Sequence, residues 1–163
     1  MTAETEGRRA YLAALRMLGR RALSVQEVTH RLEHRGFGRQ AVAEAVAELQ
    51  GEGVLDDAAY ARAYVHDRLL FHPIGRRGLQ VELQRRGVPP AVVQEALLQV
   101  SVEREEELIR SLLARRRPSK EEAASCAESR RLRRWLVQRG FSAEAIRRVL
   151  GGGLSFAEDG PQG

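Results

Sequence analysis

Cysteine is almost absent from this chain, and the absence is informative. Cys126 is the one cysteine in 163 residues. That excludes an internal disulfide framework and a Cys-rich metal site, and leaves Cys126 the expected role of a small, partly buried side chain. Aromatic residues make up only 5% of the chain, so its core must be built from Leu, Val and Ala. No apolar run approaches the ~18 residues of a membrane span. The first residues, MTAETEGRR, lack the apolar stretch of about 7–15 residues that marks a secretory signal. The expectation is a cytoplasmic protein with no membrane partner.

Catalytic signatures are missing as well. There is no Gly-x-x-x-x-Gly-Lys-Ser/Thr, no Gly-x-Gly-x-x-Gly and no Gly-x-Ser-x-Gly. His30 and His34 are four apart on one helical stretch, but the residues between them are Arg-Leu-Glu and no third ligand is evident. His66 and His72 have no nucleophile or carboxylate to work with. Asp56 and Asp57 are explained by a helix start, one as N-cap and the other favouring the positive end of the helix dipole. The expectation is a non-enzymatic protein with no catalytic residues, no cofactor and no metal.

What the chain has is arginine. Lys+Arg number 27 against 22 Asp+Glu, a net charge of +5, and Lys120 is the only lysine. The excess is uneven. Residues 1–55 carry 8 basic and 7 acidic side chains, residues 56–100 carry 6 and 5, and residues 108–139 carry 10 and 3. The electropositive part is the last third.

The 43% apolar fraction falls almost everywhere at helical spacing. Tyr11, Leu15 and Leu18 are spaced i, i+4, i+7, as are Val42, Val46 and Leu49. Ser24 to Glu27 and Ser119 to Glu122 fit the capping box that starts a helix. Pro73, Pro89, Pro90 and Pro118 fall between the periodic segments. The fold class is all-α.

Repetition is the stronger signal. Leu-x-x-Arg-Gly-(Phe/Val) occurs at Leu32 to Phe37, Leu83 to Val88 and Leu136 to Phe141, with glycines 51 and 53 residues apart. Apolar residues follow six and ten positions after each glycine: Val42 and Val46, Val93 and Leu97, Ile146 and Leu150. A glycine just past a helix can take the left-handed conformation that closes it, and the next apolar residue folds back on the core. Arginine in the last turn favours the negative end of the helix dipole. A further helix precedes each pair, at about residues 8–19, 57–70 and 102–116. Three tandem three-helix repeats are predicted, at residues 1–55, 56–100 and 101–150, with 151–163 a flexible C-terminal tail. Units this small lean on each other, so an elongated, curved array is expected.

The candidate binding residues are arginines: Arg76, Arg77, Arg85, Arg86, Arg115, Arg116, Arg117, Arg130, Arg131, Arg133 and Arg134. Their recurrence with few acids nearby points to an anionic partner. Leu132, Trp135 and Leu136 form the apolar stripe of their helix, which puts Trp135 in the core rather than on a base-stacking surface.

The chain resembles the RecX family of bacterial recombination regulators over roughly residues 10–150. The resemblance rests on Ser24-x-x-Glu27-x-x-x-Arg31-Leu32-x-x-Arg35-Gly36-Phe37, and on Gly53-Val-Leu-Asp56-Asp57-x-x-Tyr60-Ala61. It continues in Gly75-x-x-x-Leu79-x-x-x-Leu83-x-x-Arg86-Gly87-Val88 and in Arg131-Leu-x-x-x-Leu136-x-x-Arg139-Gly140-Phe141-Ser142. It implies three tandem three-helix repeats that bind RecA in the groove of its filament on DNA. It also implies restraint of the filament's ATPase, strand exchange and co-protease activities, and with them of recombination, repair and the SOS response. Direct, sequence-tolerant binding of single- and double-stranded DNA by a monomer completes the expectation. The alternative is a helix-turn-helix-like DNA-binding transcription regulator. Against it, Pro90 to Val100 contains no basic residue.

Overall fold

Each Leu-x-x-Arg-Gly-(Phe/Val) motif is a complete helix ending. In a computed structural model, which describes residues 3–116 and 126–151, Gly36, Gly87 and Gly140 have φ of 85°, 75° and 80°. At each site the glycine N–H donates to the carbonyl three residues back, and the next N–H donates to the motif leucine. The pairs are Gly36 to Glu33 and Phe37 to Leu32, Gly87 to Gln84 and Val88 to Leu83, Gly140 to Val137 and Phe141 to Leu136, at 2.9–3.3 Å. This is the Schellman closure, with leucine and the apolar residue after glycine as its hydrophobic pair. The predicted helix ends are therefore found at all three glycines.

Helices start as predictably as they stop. α1 (Ala3–Leu18), α2 (Val25–His34) and α3 (Arg39–Gly51) form the first triplet. Ser24 caps α2 with both arms of the capping box: its hydroxyl accepts from Glu27 N–H at 3.1 Å, and its own N–H donates to the Glu27 carboxylate at 3.0 Å. α4 (Asp57–Phe71), α5 (Arg76–Arg85) and α6 (Pro90–Ala96), followed by a 3-10 turn at Leu97–Gln99, form the second. Asp56 caps α4, accepting from the amides of Ala58 and Ala59, and Pro90 opens α6 in the position proline tolerates. α7 (Val102–Arg116), α8 (Cys126–Gln138) and α9 (Ala143–Leu150) form the third, with Ser142 capping α9. No strand occurs among the described residues. The capping box expected at Ser119 to Glu122, Pro118 and the tail beyond Gly151 lie outside them.

In each triplet the first helix packs chiefly on the third: α1 on α3, α4 on α6, α7 on α9. The residues six past each glycine are buried in every case, and of those ten past, Val46 and Leu97 are buried while Leu150 is half-buried. The α1 face differs from the expected stripe. Ala10, Ala13, Ala14 and Met17 join Tyr11 in the core, while Leu15 and Leu18 sit at its edge. Small side chains on α1 favour its packing on α3, whose Ala45 and Val46 belong to the same core.

The chain forms two compact units, Met1–His72 with Leu79–Gln99, and Pro73–Gly78 with Val100–Gly163. Within the first, the Gly87 turn sits on the start of α2. The Arg86 carbonyl accepts from the Ser24 hydroxyl, the Val25 N–H donates to Asp57 at 2.9 Å, and a Cβ on Gly87 would lie 1.6 Å from Gln26 Oε1. Burial pushes the Asp57 carboxyl up, partly offset by the Val25 hydrogen bond.

Within the second, the Gly140 turn sits on the start of α5. Gly75 N–H donates to the Arg139 carbonyl at 2.9 Å and Arg77 N–H to that of Gly140 at 3.1 Å. The backbones touch: a Cβ on Gly75 would stand 2.2 Å from Gly140 O, Phe141 N and Phe141 Cα. Glu105, only 1% exposed, receives the N–H of Arg76 at 2.8 Å and that of Ser142 at 3.2 and 3.3 Å. One buried carboxylate thus serves two helix starts, whose positive ends compensate its desolvation.

Candidate anion-binding surface

The sequence offers eleven arginines as candidates, and the fold treats them unequally. Several are engaged within the structure, Arg86 and Arg76 among them. Arg86 pairs with Glu27 at 3.4 Å, donates to the Tyr60 hydroxyl at 3.2 Å and lies over the Tyr64 ring at 4.7 Å. Arg76 is half-buried, and its guanidinium reaches the Val100 carbonyl at 3.4 Å. Burial raises the Tyr60 and Tyr64 hydroxyls above the ordinary phenol value, and Tyr64 is raised further by donating to Glu82. Glu82 also receives Arg68 Nε at 2.9 Å. Burial pushes the Glu82 carboxyl up, but the hydrogen bonds from Arg68 and Tyr64 outweigh it and hold it below the usual carboxylate range.

Others face outward. Arg77, Arg85, Arg115, Arg116, Arg130, Arg131 and Arg134 are exposed, and Arg133, half-buried, donates to the Gly151 carbonyl at 2.6 Å. Arg117 lies outside the described residues. Two local groupings result.

The first joins Arg85 and Arg86 at the end of α5 to Gln26, Glu27, His30 and Arg31 of α2, around a cleft of about 400 Å3. The sequence reading passed over Arg31 and His30 here, because only the docking of the Gly87 turn on α2 brings them to Arg85. Glu27 also reaches Arg21, at 3.7 Å, so this cleft contains its own counter-charge.

Among the described residues the charges of the second grouping are all positive. Arg131, Arg134, Trp135 and Gln138 share one face of α8, and Arg116 at the end of α7 completes a cavity of about 360 Å3 around them. Trp135 is half-buried and stands outside the buried core residues, which corrects its expected place in the core. Leu132 and Leu136 are buried and carry the α8 core contact, while the indole stands at its edge. Arg139 lies over its ring at 4.4 Å and Arg116 at 5.2 Å. Arg139 is anchored by donating to the Pro73 carbonyl at 3.3 Å. No carboxylate among the described residues pairs with Arg116, Arg131 or Arg134.

Among the described residues no group of three or more His, Cys, Asp or Glu stands close enough to hold a metal ion. His30 and His34 lie on an exposed face of α2. No helix among the described residues is long and apolar enough to cross a membrane.

Three helix triplets closed by the same arginine-glycine turn, with arginines displayed on the surface, define a tandem three-helix repeat protein. Family models described as the first, second and third three-helix domains of RecX match residues 10–49, 56–97 and 103–150. The chain belongs to the RecX family of regulatory proteins. It is 32% identical over 152 residues to the regulatory protein RecX of Geobacillus thermodenitrificans, covering 93% of this chain but 56% of that one. The chain thus spans little more than half of that relative's length. It is 33% identical to the regulatory protein RecX of Trichlorobacter lovleyi, covering 91% of this chain and 98% of that one. Its fold is similar to the crystal structure of RecX from Lactobacillus salivarius, with a TM-score of 0.77 and 20% identity over 90% of this chain and 96% of that one.

Proposed function

We propose that this chain is a non-enzymatic restraint on RecA. It binds the RecA filament on DNA through its linked repeats and lowers the filament's ATPase, strand-exchange and co-protease activities. The observation that carries the reading is the ordered match of all three family domains along residues 10–150. Two relatives named regulatory protein RecX support it. Linked weak contacts multiply along a repeating polymer, which gives tandem repeats a physical use on a filament. Arg116, Arg131 and Arg134, which no carboxylate among the described residues pairs, support a polyanionic partner, either DNA phosphates or acidic protein surface. DNA contact of this kind is sequence-tolerant, since phosphates carry no base information. Its affinity falls with salt at a slope of about −0.9 per phosphate on duplex and about −0.7 on single strands.

The deciding experiment is DNA-dependent ATP hydrolysis by RecA from the same cell, titrated with the purified chain. Suppression at stoichiometric to several-fold excess supports the reading. Undiminished hydrolysis, together with a ~1000-fold preference for one duplex sequence, would replace it with a transcription regulator.

A further inference from the structure

The electropositive third contains an aromatic group that a phosphate clamp does not need. Trp135 is the chain's one tryptophan. It stands half-buried, lining the cavity of about 360 Å3 with Arg116, Arg131, Arg134 and Gln138. We propose that Trp135 is a stacking platform for one unpaired base of a single-stranded nucleic acid, with Arg131 and Arg134 gripping the phosphates beside it. This rests on the DNA-binding part of the reading above and adds to it a site and a strand preference.

The two cations over the ring are held differently. Arg139 is tied to the Pro73 carbonyl and stays with the indole. Arg116 is the last residue of its helix, exposed, and its ring contact at 5.2 Å is looser. Among the described residues that is its one ring or polar contact; a guanidinium so held can be displaced by a base, and its plane can then stack on the base's outer side. Among the described residues Arg131 and Arg134 have no carboxylate to release before they meet a phosphate. The volume falls within the range of about 300–1,000 Å3 typical of small-ligand sites. An acidic protein surface would use the arginines and leave the indole idle. Bases in a duplex are already stacked on one another, so the platform selects single strands. The cleft at Arg85 has no Phe, Tyr or Trp in its lining, only the smaller His30 imidazole, and Glu27 adds a carboxylate there that repels a phosphate.

The single tryptophan makes the test direct. The full chain is titrated with a fluorescein-labelled oligothymidylate, with an abasic oligonucleotide of equal length, and with a duplex. Anisotropy reports binding and tryptophan fluorescence reports stacking. Oligothymidylate should quench the tryptophan and the abasic strand should not. Trp135→Ala should weaken oligothymidylate binding about tenfold, within the range of base–aromatic stacking, and leave abasic binding unchanged. Trp135→Phe keeps a ring on the helix and should retain most of the affinity. Binding to both oligonucleotides with equal affinity and no quenching overturns the platform while leaving phosphate contact standing. Equal quenching by polyglutamate overturns it in favour of an acidic protein partner. Binding to no strand overturns both the platform and the DNA contact.

Discussion

The Gly87 and Gly140 turns have the same hydrogen bonds and nearly the same φ, yet they press on different things. Gly87 faces the side chain of Gln26, whereas Gly140 faces backbone, with a Cβ there reaching within 2.2 Å of Gly78 N. The Gly36 turn, alike in every internal respect, would place a Cβ with nothing within 4 Å. The difference separates two demands that one motif conceals. Helix closure asks for a left-handed residue, and docking asks for the absence of a side chain. Only the second depends on which helix start lies beneath.

The largest expected effect comes from the backbone contact. Gly75→Ala puts a methyl group into three backbone atoms that cannot rotate away, and should cost more than about 3 kcal/mol in urea denaturation, at the upper end of overpacking. Gly36→Ala incurs only left-handed strain and should cost about 1–2 kcal/mol. Equal losses would break the comparison.

Next comes the carboxylate at each docking. Glu105→Gln removes the charge that two helix starts share and puts an amide NH2 in place of Oε2, 3.3 Å from the Ser142 N–H, and should cost about 2–3 kcal/mol. Asp57→Asn, with one N–H to satisfy and more exposure, should cost about 1 kcal/mol. Gly87→Ala should fall between Gly36→Ala and Gly75→Ala. In a Gln26→Ala background its cost should fall only in part, because the Cβ of residue 26 would still stand 2.5 Å away, a coupling that a double-mutant cycle measures directly.

The smallest effect concerns acid. Glu82 has a folded-state pKa below its unfolded value, so the stabilisation from Arg68 and Tyr64 is complete above the ordinary glutamate range of about 4.3. It is lost as pH falls below that range and through the folded value. The pair is partly exposed, so the loss should stay under about 1 kcal/mol. Glu82→Gln should remove it from the acid limb of the stability profile.

The helix ends were fully legible because the closure is local: Leu32 to Phe37 holds every partner of its own turn. The capping box at Ser24 was legible for the same reason. The buried face of α1 was misread, since large side chains dominate a periodicity count while packing on α3 selects Ala10 and Ala14. Glu105 was invisible because the helix starts it serves lie 29 and 37 residues away, and no spacing rule spans that distance. The arginines could be counted from the sequence but not sorted. Arg86 and Arg131 look alike until Glu27, Tyr60 and Tyr64 take one of them. Trp135 shared the spacing of Leu132 and Leu136, and one residue's rotation along α8 separates core from rim.

The touching backbones at Gly75 and Gly140 bear on how this chain can change over descent. A duplicated repeat inherits its turn and the seat for the next turn as separate stretches of sequence, which then mutate independently. Drift at position 75 is blocked unless the main chain at 140 and 141 withdraws, and drift at 87 is tied to whatever stands at 26. Position 36 carries no such bond. Sequences descended from a common triplicated ancestor should therefore vary first at 36, change at 26 and 87 in concert, and retain glycine longest at 75 and 140.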